Sequence, residues 1–260
     1  MKILIANDDG IQAKGITTLA KTLAKEHEVY VIAPDQERSA AGHALTLNTP
    51  LRVHVVKIDD SIKKSWSISG TPGDCVKIGI FAVLDEKPDL IISGINHGPN
   101  LGTDILYSGT VSAAMEGAIL GFPSIAISLA DLGTYCYDFN YAAEFVSKFI
   151  PKMLEIRYPT KTILNINIPA VAKEQIKGIA ITKIGTRMYT DSYEKRQDPR
   201  GKDYYWMAGE ILETPVENGT DILAIRQNRI SITPVTFEMT HKSVMPELEE
   251  TFCDGFCNWY

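Results

Sequence analysis

Short apolar runs, each followed by a polar, glycine-rich segment, limit the possible folds of this chain more than any other feature. Residues 3–7 form a short apolar run that closes on Asn7-Asp8-Asp9-Gly10. Residues 15–25 then place Ile16, Leu19, Ala20, Leu23 and Ala24 at helical spacing, and residues 28–33 form a second apolar run that stops at Pro34. Continuous apolar runs suit strands buried on both faces, as in a parallel sheet. A strand, a helix and a second strand within about thirty residues predict a right-handed parallel crossover.

The alternation continues. Residues 45–58, interrupted by Asn48-Thr49-Pro50, read as a decorating β-hairpin. Strands are predicted at 66–69, 89–93, 124–129 and 162–168, and helices at 74–84, 108–120 and 140–154, the last with a break at Pro151. Beyond residue 170 the chain is richer in Tyr, Arg, Lys and polar turns. There, 179–183, 204–208, 221–226 and 230–234 read as strands, and 241–250 as a terminal helix. Residues 188–202 are too polar to bury much, which leaves a subunit-packing hairpin, an active-site flap or a solvated loop. The elements predict an α/β three-layer sandwich with a mostly parallel sheet. Residues 1–170 would form the core and 171–260 an extension that completes a single domain.

Composition removes several classes. No apolar run approaches the ~18 residues of a membrane span, and 118–130 is broken by Gly121 and Pro123. The N-terminus turns acidic at Asp8 and Asp9, unlike a signal peptide, so a cytoplasmic location is expected. A net charge of −6 disfavours a nucleic-acid polymer as partner. Cys75 and Cys136 lie in apolar stretches and read as core. Cys253 and Cys257 stand four apart with no second metal-type pair.

In an open parallel sheet, ligands bind where the strands end in loops. The loops gathered there carry Asp8-Asp9, the segment from Asp35 through Ser39 to His43, Gly70 to Asp74, and the stretch holding Asn96, His97 and Asn100. Two adjacent carboxylates repel each other unless a hard cation sits between them. Oxygen donors without a neighbouring His or Cys favour Mg²⁺ or Mn²⁺ over zinc. Ser108-Gly109-Thr110 opens an Ala-rich helix, where a helix N-terminus and a residue without Cβ suit a phosphate; an ordinary N-cap is the competing explanation. No Walker, G-x-G-x-x-G or G-x-S-x-G sequence is present.

The stretches ILIANDDG, APDQERSAAGHALTL, GTPGDCV and DLIISGINHGPNLGTDILYSGTVSAAMEGAILGFPSIAIS resemble the SurE family of stationary-phase survival proteins. The resemblance is strongest over residues 1–130. It implies a Rossmann-like fold whose C-terminal extension exchanges elements between subunits in a homodimer or homotetramer. It also implies a metal-dependent nucleotidase acting on nucleoside 5′- and 3′-monophosphates, and on short polyphosphate in some members. One divalent cation per subunit, Mg²⁺ or Mn²⁺, would be held by Asp8, Asp9, Ser39 and Asn96. Ser108, Gly109 and Thr110, with Asn96, would hold the phosphate. Asp8, Asp9 and Asn96 would be the catalytic residues, with Asp8 the favoured base and His97 and Asn100 secondary candidates. Ala40 after Ser39, and Gly73 in the third loop, depart from the usual family pattern.

Two other readings fit the same loops. One is an aspartyl-phosphate phosphatase, disfavoured because Asp8 and Asp9 are adjacent rather than separated by one residue. The other is a nucleotide-binding regulatory module without turnover.

Overall fold

The computed structural model describes residues 1–131, 133, 138–157, 159–190, 192–212 and 217–253. The expectations for Cys136 and Cys257 fall outside these residues. The crossover forms as the apolar pattern requires: β1 (Lys2–Ala6), α1 (Lys14–Leu23) and β2 (Glu28–Pro34), with β2 parallel to β1. Helix α1 buries Ile16, Leu19, Ala20 and Leu23. Gly15 lets it approach closely, since a Cβ there would lie 1.9 Å from the carbonyl oxygen of Ile95.

The remaining elements are β3 (Val53–Val56), β4 (Lys64–Ile68), α2 (Pro72–Ile78), β5 (Leu90–His97), α3 (Gly109–Ile119), β6 (Ser124–Ala130), α4 (Phe139–Leu154), β7 (Thr162–Pro169), β8 (Ile179–Ile181), β9 (Tyr193–Gln197), β10 (Asp203–Met207), α5 (Asp221–Arg226), β11 (Ile230–Thr236) and α6 (Met245–Phe252). Nine strands form one mixed, mostly parallel sheet in the order β3-β4-β2-β1-β5-β6-β7-β11-β8. β3 runs antiparallel to β4, and β11 antiparallel to β7. β9 and β10 form a separate hairpin.

Alternate residues face opposite layers. Ile3, Ile5, Ile92 and Ile127 join α1 and α4 in one apolar cluster. Leu4, Ala6 and Ile91 meet α2, while Ala126 and Ile163 meet α3 on the other face. Cys75 is fully buried in that second layer. Among the described residues, no helix is long and apolar enough to cross a membrane.

Four local readings change. Residues 45–52 are not a strand: Thr46 N–H donates to the Asp74 carboxylate and the Thr71 hydroxyl to Ala44 O, so side chains bind this backbone and only β3 joins the sheet. Residues 221–226 are helix α5, capped by the Thr220 hydroxyl; four apolar residues, 222–225, are too few for their period to tell helix from strand. α4 continues through Pro151. The proline faces solvent while Val146, Ile150 and Met153 stay buried on either side, so packing outweighs the missing hydrogen bond. The helix expected over 74–84 ends at Ile78 and passes into a wider π-helical turn, Gly79–Val83.

The strand order reverses at β1. The chain moves outward through β2 and β4 on one side, then returns to place β5, β6 and β7 on the other. The carboxyl ends of β1 and β5 therefore flank a crevice at the topological switch point, the preferred ligand position in such sheets.

Candidate active site

Asp8 and Asp9 follow β1 directly into this crevice, and Asn96 and His97 end β5 beside it. Asp8 is 6% exposed. The Thr110 hydroxyl, on the first turn of α3, donates to Asp8 Oδ1. Burial pushes the Asp8 carboxyl above its ordinary range, against the lowering effect of Thr110. Asp9 accepts from His97 N–H at 3.1 Å, and burial together with the Asp8 charge pushes it up to about 6. Glu37 adds to the repulsion on both aspartates. Sequence reasoning missed Glu37, although it stands two residues before Ser39. No lysine or arginine forms an ion pair with Asp8, Asp9 or Glu37 among the described residues.

Ser39 lies on the segment between β2 and β3, and its hydroxyl donates to Glu37 at 2.6 Å. That segment is tied to the site by Arg38 N–H, which donates to Asp8 O at 2.8 Å. The Asn96 side-chain amide donates to Gly98 O at 2.9 Å, which leaves its Oδ1 as an acceptor. Among the described residues no three His, Cys, Asp or Glu side chains assemble as a metal site. A cation here would therefore also draw on hydroxyl and amide oxygen. The donors available are all hard oxygens beside an uncompensated carboxylate pair, which fits a divalent cation of the Mg²⁺ or Mn²⁺ type.

The N-terminus of α3 points at this pair. Ser108 is its N-cap, accepting from Val111 N–H at 3.0 Å. Gly109 makes the approach possible, because a Cβ there would lie 2.7 Å from Asp8 Cβ. Thr110 is fully buried, with its hydroxyl committed to Asp8.

Asn100 has a different role from its neighbours. It bonds through Nδ2 to Ser128, through its amide to Asn167 Oδ1, and through its carbonyl to the side chains of Asn165 and Asn167. It anchors the loop after β5 to β6 and β7. The next residues are held by the C-terminal part of the chain: buried Asp221 accepts from Gly102 N–H at 2.8 Å, Gly185 N–H at 2.9 Å and Ile222 N–H at 2.8 Å. Asp104 binds Arg187 at 2.7 Å and the Tyr189 hydroxyl at 2.6 Å. Replacing Asp221 with Ala strands three buried donors. A loss of about 3–5 kcal/mol in denaturant unfolding is expected. An unchanged midpoint would mean that these donors find water.

A family model described as "Survival protein SurE" matches residues 3–191. A protein named 5′-nucleotidase SurE from Thermosynechococcus vestitus is 52% identical over 257 residues, covering 96% of each chain. One of the same name from Kosmotoga olearia is 50% identical over 255 residues, covering 98% of this chain and 100% of the relative. The crystal structure of the SurE protein from Aquifex aeolicus superposes with a TM-score of 0.81 at 42% identity, covering 96% of this chain and 99% of that one.

Proposed function

This chain belongs to the SurE family, and on that premise we propose that it is a 5′-nucleotidase that uses a divalent cation to hydrolyse nucleoside monophosphates to nucleoside and phosphate. One observation carries the reading. A mutually repelling carboxylate pair, Asp8 buried and Asp9 partly buried, sits at the sheet's switch point, with the N-terminus of an 11-residue helix in contact with Asp8. A regulatory binding site would gain nothing from leaving such repulsion unrelieved.

Asp8, Asp9, Ser39 and Asn96 would hold one Mg²⁺ or Mn²⁺ per subunit. Such a cation polarises a phosphoryl oxygen and lowers the pKa of water when bound. Thr110 fixes the rotamer of Asp8, and the His97 amide fixes Asp9. The phosphate would lie at the Ser108–Thr110 end of α3, where the helix dipole favours negative charge. Asp8 would orient the attacking water and take its proton as the phosphorus–oxygen bond to the ribose breaks. The departing ribose oxygen takes its proton from solvent.

The proposal extends to 3′-monophosphates and short polyphosphate, which present the same terminal phosphate. It also includes a cytoplasmic homodimer or homotetramer, in which residues 171–260 exchange elements between subunits. The exposed side chains of β9–β10, with Tyr193, Tyr205 and Met207 on one face and Trp206 on the other, all more than half exposed, support such an assembly.

Phosphate release from AMP, GMP, 3′-AMP and polyphosphate, measured before and after exhaustive chelation, tests the reading. Activity lost to EDTA and restored by Mn²⁺ or Mg²⁺ is expected. Nucleotide binding without turnover under every metal would leave a binding module. A trapped phosphoenzyme would move the assignment to an aspartyl-phosphate mechanism.

A further inference from the structure

Helix α3 is built almost wholly from small and apolar residues, and it is buried from Gly109 to Ala118. Glu116 is the exception: an acid in the middle of that helix, 3% exposed. Its two oxygens are separately committed. Oε1 accepts from Lys77 Nζ on α2 at 2.7 Å, and Oε2 lies 2.8 Å from Nε2 of His43. Because an ionised carboxylate can only accept, Nε2 carries the proton in this contact. The contacts with His43 and Lys77 hold the Glu116 carboxyl below its ordinary range, against the effect of burial.

His43 belongs to the strap of residues 35–52 that joins β2 to β3 and carries Ser39. The strap's other hydrogen bonds to the body use its backbone, among them Arg38 N–H to Asp8 O, Gly42 N–H to Tyr107 O, the Ala44 carbonyl to the Thr71 hydroxyl, and Thr46 N–H to Asp74. Among the described residues, His43 alone joins the strap to the helical layer by a side-chain-to-side-chain hydrogen bond. A buried carboxylate is weak evidence for stability, since an apolar residue commonly serves a core as well or better. Its placement suggests a different use. Thr110 and Glu116 stand six residues apart on one rigid helix, about 9 Å along its axis. The first grips Asp8 and the second grips the strap.

We infer that Glu116 is a positioning residue for the nucleotidase site: through His43 it seats the strap, so that α3 sets where Ser39 stands relative to Asp8. The inference rests on the proposed function only for what Ser39 does once seated; the seating itself can be read without activity. Trypsin cleaves after Arg38, within the strap, and the 38-residue fragment reports on it directly. In metal-free protein, His43→Leu should speed that cleavage about tenfold, the scale of one lost hydrogen bond to a charged group. In the enzyme assay the same variant should raise the Mn²⁺ concentration for half-maximal activity about tenfold while kcat at saturating Mn²⁺ changes less than about threefold, the pattern expected when cation binding rather than the chemical step is weakened. His43→Gln, which keeps an N–H donor, should restore both. His43 is partly exposed and Lys77 still pairs with Glu116 in both variants, so the core keeps its packing. Wild-type cleavage and a wild-type Mn²⁺ requirement in His43→Leu would overturn the inference. So would a fall in kcat with unchanged cleavage, because His43 would then act in the chemistry and not on the strap. If the wild-type protein shows no nucleotidase activity, the proposed function fails while the proteolysis arm still decides the seating.

Discussion

Asp9→Asn is expected to cut phosphate release by about two to three orders of magnitude and, in the same protein, to raise the stability of the metal-free chain at neutral pH. The two effects have one cause. Asp9 is pushed from 3.8 to about 6 by burial and by Asp8, so its charged form is unfavourable in the folded state. A carboxyl with a raised folded pKa keeps its proton longer when folded than when unfolded. On its account, stability is full below the unfolded value and falls as pH rises through the interval up to about 6. A shift of that size corresponds to about 3 kcal/mol above pH 6. Asparagine removes the charge, keeps the shape and can still accept from His97 N–H. The variant should therefore melt several degrees higher than wild type at pH 7.5 in EDTA, with the difference vanishing near pH 4. Catalysis should fall by about two to three orders of magnitude, the scale seen when a group that stabilises developing charge is lost. Added Mn²⁺ should stabilise wild type and not the variant. Full activity in Asp9→Asn would sink the metal assignment, and a lower melting temperature in EDTA would sink the repulsion argument.

Gly109→Ala should cut kcat/KM by about a hundredfold while the chain still folds. The added Cβ would stand 2.7 Å from Asp8 Cβ and 2.8 Å from its Oδ2, and Asp8 is buried with no room to retreat. α3 must back away, which breaks the Thr110–Asp8 bond and shifts the site by an amount that commonly costs about two orders of magnitude in rate. Overpacking of this kind destabilises by about 1–3 kcal/mol. Helix propensity alone favours alanine over glycine by up to about 1 kcal/mol, so a net loss in denaturant unfolding reads the clash directly. A variant as active and more stable than wild type would show that α3 does not need to lie against Asp8.

Much of the fold is legible along the chain because its signals are local. β1 and β2 are short apolar runs and β5, β6 and β7 are largely apolar, while the carboxyl ends of β1, β2 and β5 carry polar loops. Local signals fail where side chains from elsewhere override them. Thr46 looks like part of a hairpin until Asp74 binds its amide. Residues 221–226 look like a strand until Thr220 caps them as a helix. The candidate site divides in the same way. Asp8-Asp9 and Ser108-Gly109-Thr110 stand out by residue type alone. Glu116 and Asp221 do not stand out by residue type, because what distinguishes them is a distant partner: His43 lies 73 residues from Glu116, and Gly102 119 residues from Asp221.

By itself, the sequence determined the alternation of strands and helices, the chemistry of the donors and the loops that carry them. Those follow from side-chain periodicity and residue type, which neighbours along the chain suffice to set. Only the tertiary structure decided that β5 lies beside β1, that the N-terminus of α3 meets Asp8 across 102 residues, and that the C-terminal segment holds the loop between β5 and α3. Those juxtapositions depend on strand order and helix docking. They are settled by burying both faces of one sheet at once and pairing most of the buried polar groups, a condition no local stretch can express.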